Sequence, residues 1–553
     1  MKLAHWMAAA LMLGAAACTP TATSDSGGAA AASAPAPLST DALMAHVRRL
    51  SSDEFEGRSP GTRGEELSIA YISEQFRAAG LSPGGDNGGW TQAVPMATAE
   101  VTNNPTLTLG AQTYAYGTDF VAWTKRQESP HISLQNAELV FVGYGIVAPE
   151  NNWNDYAGVD VHGKIVVILI NDPDYDTGDD RGFRGRAMTY YGRWTYKYEE
   201  AARQGAAGAI IIHEDGAAAY PWAVVNSSWT GPQHDLARDD LGRSRVQVEG
   251  WIQNRIARDL FQRAGLDFDR ERSRAQTRGY RAQSLRARGS ITLETHIDLH
   301  SSRNVIGVLR GAQRPNEAVI YGAHWDHLGR CTPVNGDDIC NGALDNATGV
   351  AGLIELARAY SAGGAPQRSV AFIALTGEES GLLGSQYYAE HPTFEPANIA
   401  TMINMDGLSN MGPARDIIVV GYGQSELDTY LAEAARAQGR VVSPEAFPER
   451  GSFYRSDHFN LAKIGVPTLY TGSGIDMVDG GTARGRALSD AYIASRYHKP
   501  DDEVTDDWDM SGATNDLRLL YAVGRRVADS NVWPQWSPQS EFRAARERSR
   551  AGR

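Results

Sequence analysis

Residues 319–329 read Val319-Ile320-Tyr321-Gly322-Ala323-His324-Trp325-Asp326-His327-Leu328-Gly329, and the fold turns on this stretch. Its apolar start, β-branched at Val319 and Ile320, is the pattern of a buried strand. The apolar run gives way to a histidine, an aspartate two residues on, a second histidine and a glycine. A histidine at the carboxyl end of a strand stands where open α/β sheets place their chemistry. An aspartate two residues away can accept the proton of the other ring nitrogen, which fixes the tautomer and raises the basicity of a metal-binding imidazole. Alone, His-x-Asp describes a polar surface turn just as well, so its meaning depends on partners elsewhere in the chain.

On either side the pattern alternates between strand and helix. Residues 291–299 and 304–309 read as strands, 351–360 as a helix, and 369–375 as a buried strand. Strands at 402–406, 417–420 and 468–470 follow, with a helix over 425–438. This alternation predicts a mixed α/β sheet covered by helices on both faces. Acid and imidazole recur after its strands. Asp345 sits in a turn opening a helix, Glu378 and Glu379 follow the strand ending at 375, and Asp406 follows Asn404 and Met405. Ser456-Asp457-His458 lies in a loop, and Tyr497-His498 comes near the end. Each has an ordinary explanation, since acids favour helix starts and aspartate caps turns. Together His324, Asp345, Glu379, Asp406 and His498 form a mixed nitrogen and oxygen set of the kind that binds zinc. One carboxylate bridging two ions would leave each ion two further protein ligands, and the second glutamate of the pair would be free to act as general base.

The 553 residues predict two domains plus tails. A hydrophobic fraction of 42% and a charged fraction of 21% are those of a soluble globular protein. The net charge of −14 gives no reason to expect a nucleic-acid partner. Residues 1–17 carry a charged start, a short apolar run and small residues, an export signal too short to span a bilayer. Cys18 follows directly and stands where a bacterial lipoprotein would be cleaved and lipidated, with ordinary signal cleavage as the alternative. The expected address is the cell envelope, as a lipoprotein, or the periplasm or exterior. Residues 18–38, rich in Ala, Ser, Thr, Gly and Pro, read as a disordered tether. In an exported protein Cys331 and Cys340 most simply form a disulfide closing the turn-rich loop between them.

Residues 39–124 form the first part of one domain, with helices over 41–50 and 65–79 separated by Gly57-Arg58-Ser59-Pro60-Gly61-Thr62. Residues 125–290 read as a smaller α/β insert built on strands at 137–142, 163–170 and 208–212 with a helix over 198–205. His162 and His213 stand isolated there, and Asp172, Asp174, Asp179 and Asp180 crowd a loop read as solvated. The Arg-rich segment 270–288 reads as an exposed helix or connector. Residues 291–532 complete the first domain and carry the candidate site, and 533–553 form a loosely ordered polar tail.

The runs Gly322-Ala323-His324-Trp325-Asp326-His327, Gly342-Ala343-Leu344-Asp345-Asn346-Ala347, Gly377-Glu378-Glu379, Asn404-Met405-Asp406 and Tyr497-His498 resemble, in order, metallopeptidase family 28. More narrowly, they resemble its co-catalytic dizinc aminopeptidases with an inserted protease-associated (PA) domain. The resemblance implies a zinc-peptidase fold and two zinc ions per chain, with peptides bearing a free N-terminus as substrates. It implies that His324 and Asp406 bind one ion, Glu379 and His498 the other, and that Asp345 bridges them. Asp326 would orient His324, Glu378 would be the general base, and Tyr497 would hydrogen-bond the oxyanion. Many relatives carry Asp before the bridging Asp where this chain has Leu344, a position that is not a ligand. His327 is left as structural. A glutaminyl cyclase-like acyl transferase, a glutamate-releasing carboxypeptidase and an inactive binding protein on the same fold are the alternatives.

Overall fold

The computed structural model describes residues 38–551, so Cys18, the export signal and nearly all of the tether lie outside it. The organising strand Arg314–His324 runs between Arg368–Leu375 and Ile399–Asn404, parallel to both, with His324 opposite Leu375 and Gly322 opposite Asn404. Thr468–Gly472 pairs in parallel with Ile399–Asn404 on the far side. Beyond it, Asp416–Val419 pairs antiparallel with Thr468–Gly472 and parallel with Val441–Pro444. On the near side Arg368–Leu375 pairs antiparallel with the last third of Gln283–Leu309, which in turn lies antiparallel to Thr91–Val101. The result is the mixed sheet that the strand and helix alternation predicts.

Period-two patterning divides the strand side chains between two cores. Val319, Tyr321 and Ala323, with Val370, Phe372 and Ala374, pack on one face against helices Thr40–Leu50, Arg63–Ala78, Thr348–Ala362 and Ser511–Asp529. Ile320, Ala371, Ile373 and Leu375 point to the other face and meet Tyr388, Phe394 and Leu461. Helix Thr348–Ala362 is buried almost all round, as a helix apolar on every side must be.

A second sheet is centred on Ile165–Leu169, parallel to the end of His131–Phe141 and to Gly208–His213. Val248–Gln253 and Phe120–Trp123 extend it. It too has a core on each face, with Ile165, Val167 and Leu169 on one side and Val166 and Ile168 on the other. Its strands begin at Thr106, before the expected boundary at 125, because Thr106–Leu109 pairs with Gln112–Ala115 and with the Gly289 and Ser290 part of the long strand. Gln283–Leu309 therefore runs through both sheets.

Three local expectations are corrected. Asp172 and Asp174 are buried, because backbone N–H groups reach them from Thr189 and from Arg181 and Phe183. Asp179 and Asp180 remain exposed. The C-terminal segment is ordered: Trp536 and Phe542 are buried, and helix Arg543–Arg550 anchors through Arg546, which donates to the Pro396 and Ile399 carbonyls. The helix expected at 198–205 is Trp194–Arg203. A disulfide joins Cys331 and Cys340. Among the described residues no helix is long and apolar enough to cross a membrane.

Candidate metal centre

The parallel strands end together, so the residues that follow them converge. His324 is the last residue of its strand, and Asp406 follows the Asn404 end of the neighbouring one. After Leu375, Gly377 takes φ 63° and turns the chain, a conformation glycine adopts without Cβ strain, so that Glu378 and Glu379 follow at the same edge. Asp345 lies in the irregular turn before helix Thr348–Ala362. His498 comes from a distant loop and holds a left-handed backbone at φ 58°, a conformation uncommon for non-glycine residues.

The donor atoms meet in pairs. His324 Nε2 lies 3.2 Å from Asp406 Oδ1 and 3.3 Å from Asp345 Oδ1. His498 Nε2 lies 3.3 Å from Asp345 Oδ2 and 3.2 Å from Glu379 Oε2. A tetrahedral zinc with bonds of about 2.0–2.1 Å holds neighbouring donors about 3.3 Å apart, whereas a charge-assisted hydrogen bond closes to about 2.7–2.9 Å. All four separations have the spacing of ligands, and the nitrogen and oxygen donor set suits zinc. His327 behaves differently. Its Nδ1 approaches Glu379 Oε1 to 2.6 Å, a hydrogen-bond distance, although His327, Asp345 and Glu379 also gather closely enough to hold an ion. The second histidine of the opening stretch thus orients Glu379, a contact that the sequence reading left out.

Asp326 does not sit as expected either. His324 Nδ1 donates to the Asp326 backbone carbonyl at 3.1 Å, while the nearer carboxylate oxygen is 3.8 Å away. The carboxylate instead accepts the N–H groups of Glu378 and Glu379, at 3.2 and 3.4 Å. A short backbone turn brings the Asp326 carbonyl to the ring first, which frees the side chain to hold the glutamate turn.

The electrostatics are those of a site short of positive charge. Burial would lower the His324 pKa, yet Glu378, Asp406 and Asp345 outweigh it and hold it well above the usual value. His498, also opposed by burial, is pushed up to about 10 by Asp345 and Glu379. Burial raises the Glu378 carboxyl well above the carboxylate range, and Asp406 and Glu379 add to the shift against His324. Carboxylates thus outnumber the imidazoles, an excess of negative charge that bound metal would offset.

Residues 304–522 match the model of peptidase family M28. The match spans about two fifths of the chain, which is similar to that family over those residues. A "Probable zinc metalloprotease" of Pyrenophora teres f. teres is 37% identical over 106 residues, which is 19% of this chain and 22% of that protein. This chain matches the first four such fungal proteins over only 22–29% of their length. A "Probable lipoprotein aminopeptidase LpqL" of Mycobacterium tuberculosis is 22% identical over 519 residues, covering 89% of this chain and 86% of that one. An aminopeptidase structure from Aneurinibacillus sp. strain AM-1 superimposes with a TM-score of 0.48 at 21% identity, covering 90% of this chain and 95% of that one.

Four buried side chains to which sequence reasoning gave no role tie the donor-bearing loops together. Asn346 donates to the Met405 carbonyl at 3.0 Å and accepts the N–H groups of Gly349 and Gly407, so it joins the Asp345 turn to the Asp406 loop. A Cβ on Gly349 would lie 2.3 Å from Asn346 Oδ1, so only glycine permits that approach. Asp502 accepts the N–H groups of Leu344 and Asp345, each at 3.1 Å. Ser456 donates to Asp406 Oδ2 at 2.6 Å and accepts from Asn404. Arg58 donates to the carbonyls of Leu50, Trp325, Asn341 and Gly342. Asp457 and His458 beside Ser456 are fully buried. Glu378, Glu379 and Tyr497 line a cavity of about 570 Å³.

Proposed function

We propose that the chain is a zinc-dependent aminopeptidase that removes N-terminal residues from peptides. One observation carries the reading: the two oxygens of Asp345 each lie 3.3 Å from a different imidazole, those of His324 and His498, as in a carboxylate shared by two ions. In this reading His324 and Asp406 hold one zinc, Glu379 and His498 the other, and Asp345 belongs to both. Bound zinc supplies a water acidified toward neutral pH and a Lewis acid for the peptide carbonyl. Glu378 would take a proton from the attacking water on its carboxylate and return it to the departing amine. Tyr497, whose ring stacks on His498 at 3.9 Å, donates its phenolic hydrogen to the oxyanion. A free substrate amine anchored at the closed end by a carboxylate or an ion makes the enzyme an exopeptidase.

With residues 1–17 read as an export signal and Cys18 as a lipidation site, the enzyme would act in the cell envelope or beyond it, a reading supported by the name of the mycobacterial relative. Residues 125–290 are proposed as a PA-like insert. The test is hydrolysis of aminoacyl-nitroanilides and their N-acetylated forms by the purified chain, with metal counted. Glu378→Gln is expected to keep its zinc and to lose roughly 10²–10⁴-fold in turnover. Undiminished turnover would remove Glu378 from the reaction, and equal cleavage of the acetylated compounds would rule out an exopeptidase.

A further inference from the structure

The cavity that holds Glu378 and Tyr497 has a second wall made by the smaller sheet and its helices, and that wall carries a buried cation with no acidic partner among the described residues. Arg193, only 8% exposed, lines the cavity, and its Nε makes no hydrogen bond. Its guanidinium is surrounded by tyrosines and by a second cation, Arg455, which also lines the cavity, and burial lowers its pKa to about 9. Other cations along the wall are answered by acids: Arg245 lies 3.5 Å from Asp235, and Lys463 lies 3.7 Å from Glu199. Burying a guanidinium beside a like charge without a carboxylate is costly, and such an arrangement persists where a ligand completes it.

Resting on the aminopeptidase reading, we propose that Arg193 and Arg455 form a subsite for a carboxylate of the peptide substrate, so that the enzyme selects short peptides carrying that charge. Guanidinium pairs recognise carboxylates through charge-assisted, bidentate hydrogen bonds. A cavity of this size encloses a ligand of only a few residues, so the far end of a short peptide comes within reach of the second wall. The carboxylate is either the C-terminus of the peptide or an acidic side chain. Trp194 and Trp229, in edge contact at 5.4 Å, line the same cavity and report its occupancy by fluorescence.

The experiment compares kcat/KM of the zinc-loaded full chain on a tripeptide free acid, its C-terminal amide, and that amide with glutamate at the second position. The free acid is expected to exceed the neutral amide by about tenfold or more, since each tenfold corresponds to one modest charged contact. The glutamate-containing amide tells whether a side-chain carboxylate serves equally. Arg193→Gln and the exposed Arg455→Gln should each pull the acid-to-amide ratio toward one, and Arg193→Lys should restore part of it. Equal rates on all three peptides, with aminoacyl-nitroanilide still cleaved, overturn the subsite and leave the aminopeptidase reading intact. If nothing is cleaved, but the free acid changes tryptophan emission at lower concentration than the amide in chelator, the subsite stands and the aminopeptidase reading falls. No cleavage and no such preference overturn both.

Discussion

Two buried clusters of ionisable side chains invite comparison, one in each sheet. In the smaller sheet, Lys197 gives its ammonium hydrogens to the carbonyls of Tyr144 and Asn171, at 2.7 and 2.8 Å. Asp172 accepts from the N–H and hydroxyl of Thr189, and Asp155 from the Ile146 N–H and the Trp153 indole. Backbone groups, a hydroxyl and an indole serve most of this cluster, although Asp172 Oδ1 has no hydrogen-bond partner, and the cluster holds a cation against two acids. At the metal centre the polar donors stand 3.2–3.3 Å apart, and carboxylates outnumber the positive charge available. Burial alone therefore does not mark a functional site. What separates the two is whether the chain itself supplies a lysine or arginine cation against the acids.

The largest effect expected from that distinction comes from Asp345→Ala. If Asp345 is shared by two ions as proposed, its removal should abolish binding of both and lower peptidase turnover roughly a thousandfold or more, because several kcal/mol of transition-state stabilisation depend on bound metal. Melting of the metal-free protein should change little by comparison. Zinc retained at two per chain would show that the two imidazoles do not share Asp345. The opposite pattern is expected of Lys197→Met in the smaller sheet. It leaves two carbonyls and Asp172 without their cation and should cost about 3–5 kcal/mol in denaturant unfolding, with zinc content untouched. If Lys197→Met proved neutral, the charge balance assigned to that cluster would be wrong.

The sheet and the donors were legible for one reason: both depend on local pattern. Alternation along 319–324 and 370–375 specifies which side chains enter which core, and the donors follow strand ends at short, recognisable spacings. The supports were not legible because their partners are backbone groups far away in sequence. Arg58 reaches the carbonyls of Asn341 and Gly342, and Asp502 reaches the N–H groups of Leu344 and Asp345. Asp172 and Asp174 read as solvated for the same reason, since nothing in an acidic loop announces which N–H groups will fold over it. The start of the second sheet at Thr106 was missed because short alternating strands carry no mark of the sheet they join.

Asp326 is where expectation and geometry part most usefully, and a substitution there separates them by a smaller effect. Sequence logic has its carboxylate accept the His324 ring proton, but in the structure the backbone carbonyl takes that role and the carboxylate holds the N–H groups of Glu378 and Glu379. Asp326→Asn keeps one acceptor oxygen and turns an amide donor toward the other N–H, so one of the two glutamates loses its anchor. Zinc affinity should fall by about tenfold, toward the low end for a residue supporting a ligand, because His324 keeps its carbonyl partner. Turnover at saturating zinc should still fall, because Glu378, proposed as the general base, is held by the same turn. Titration of zinc and kcat measured on one preparation decide between the two geometries. If affinity drops a hundredfold while kcat at full occupancy is retained, Asp326 acts through His324, and the glutamate turn stands without it.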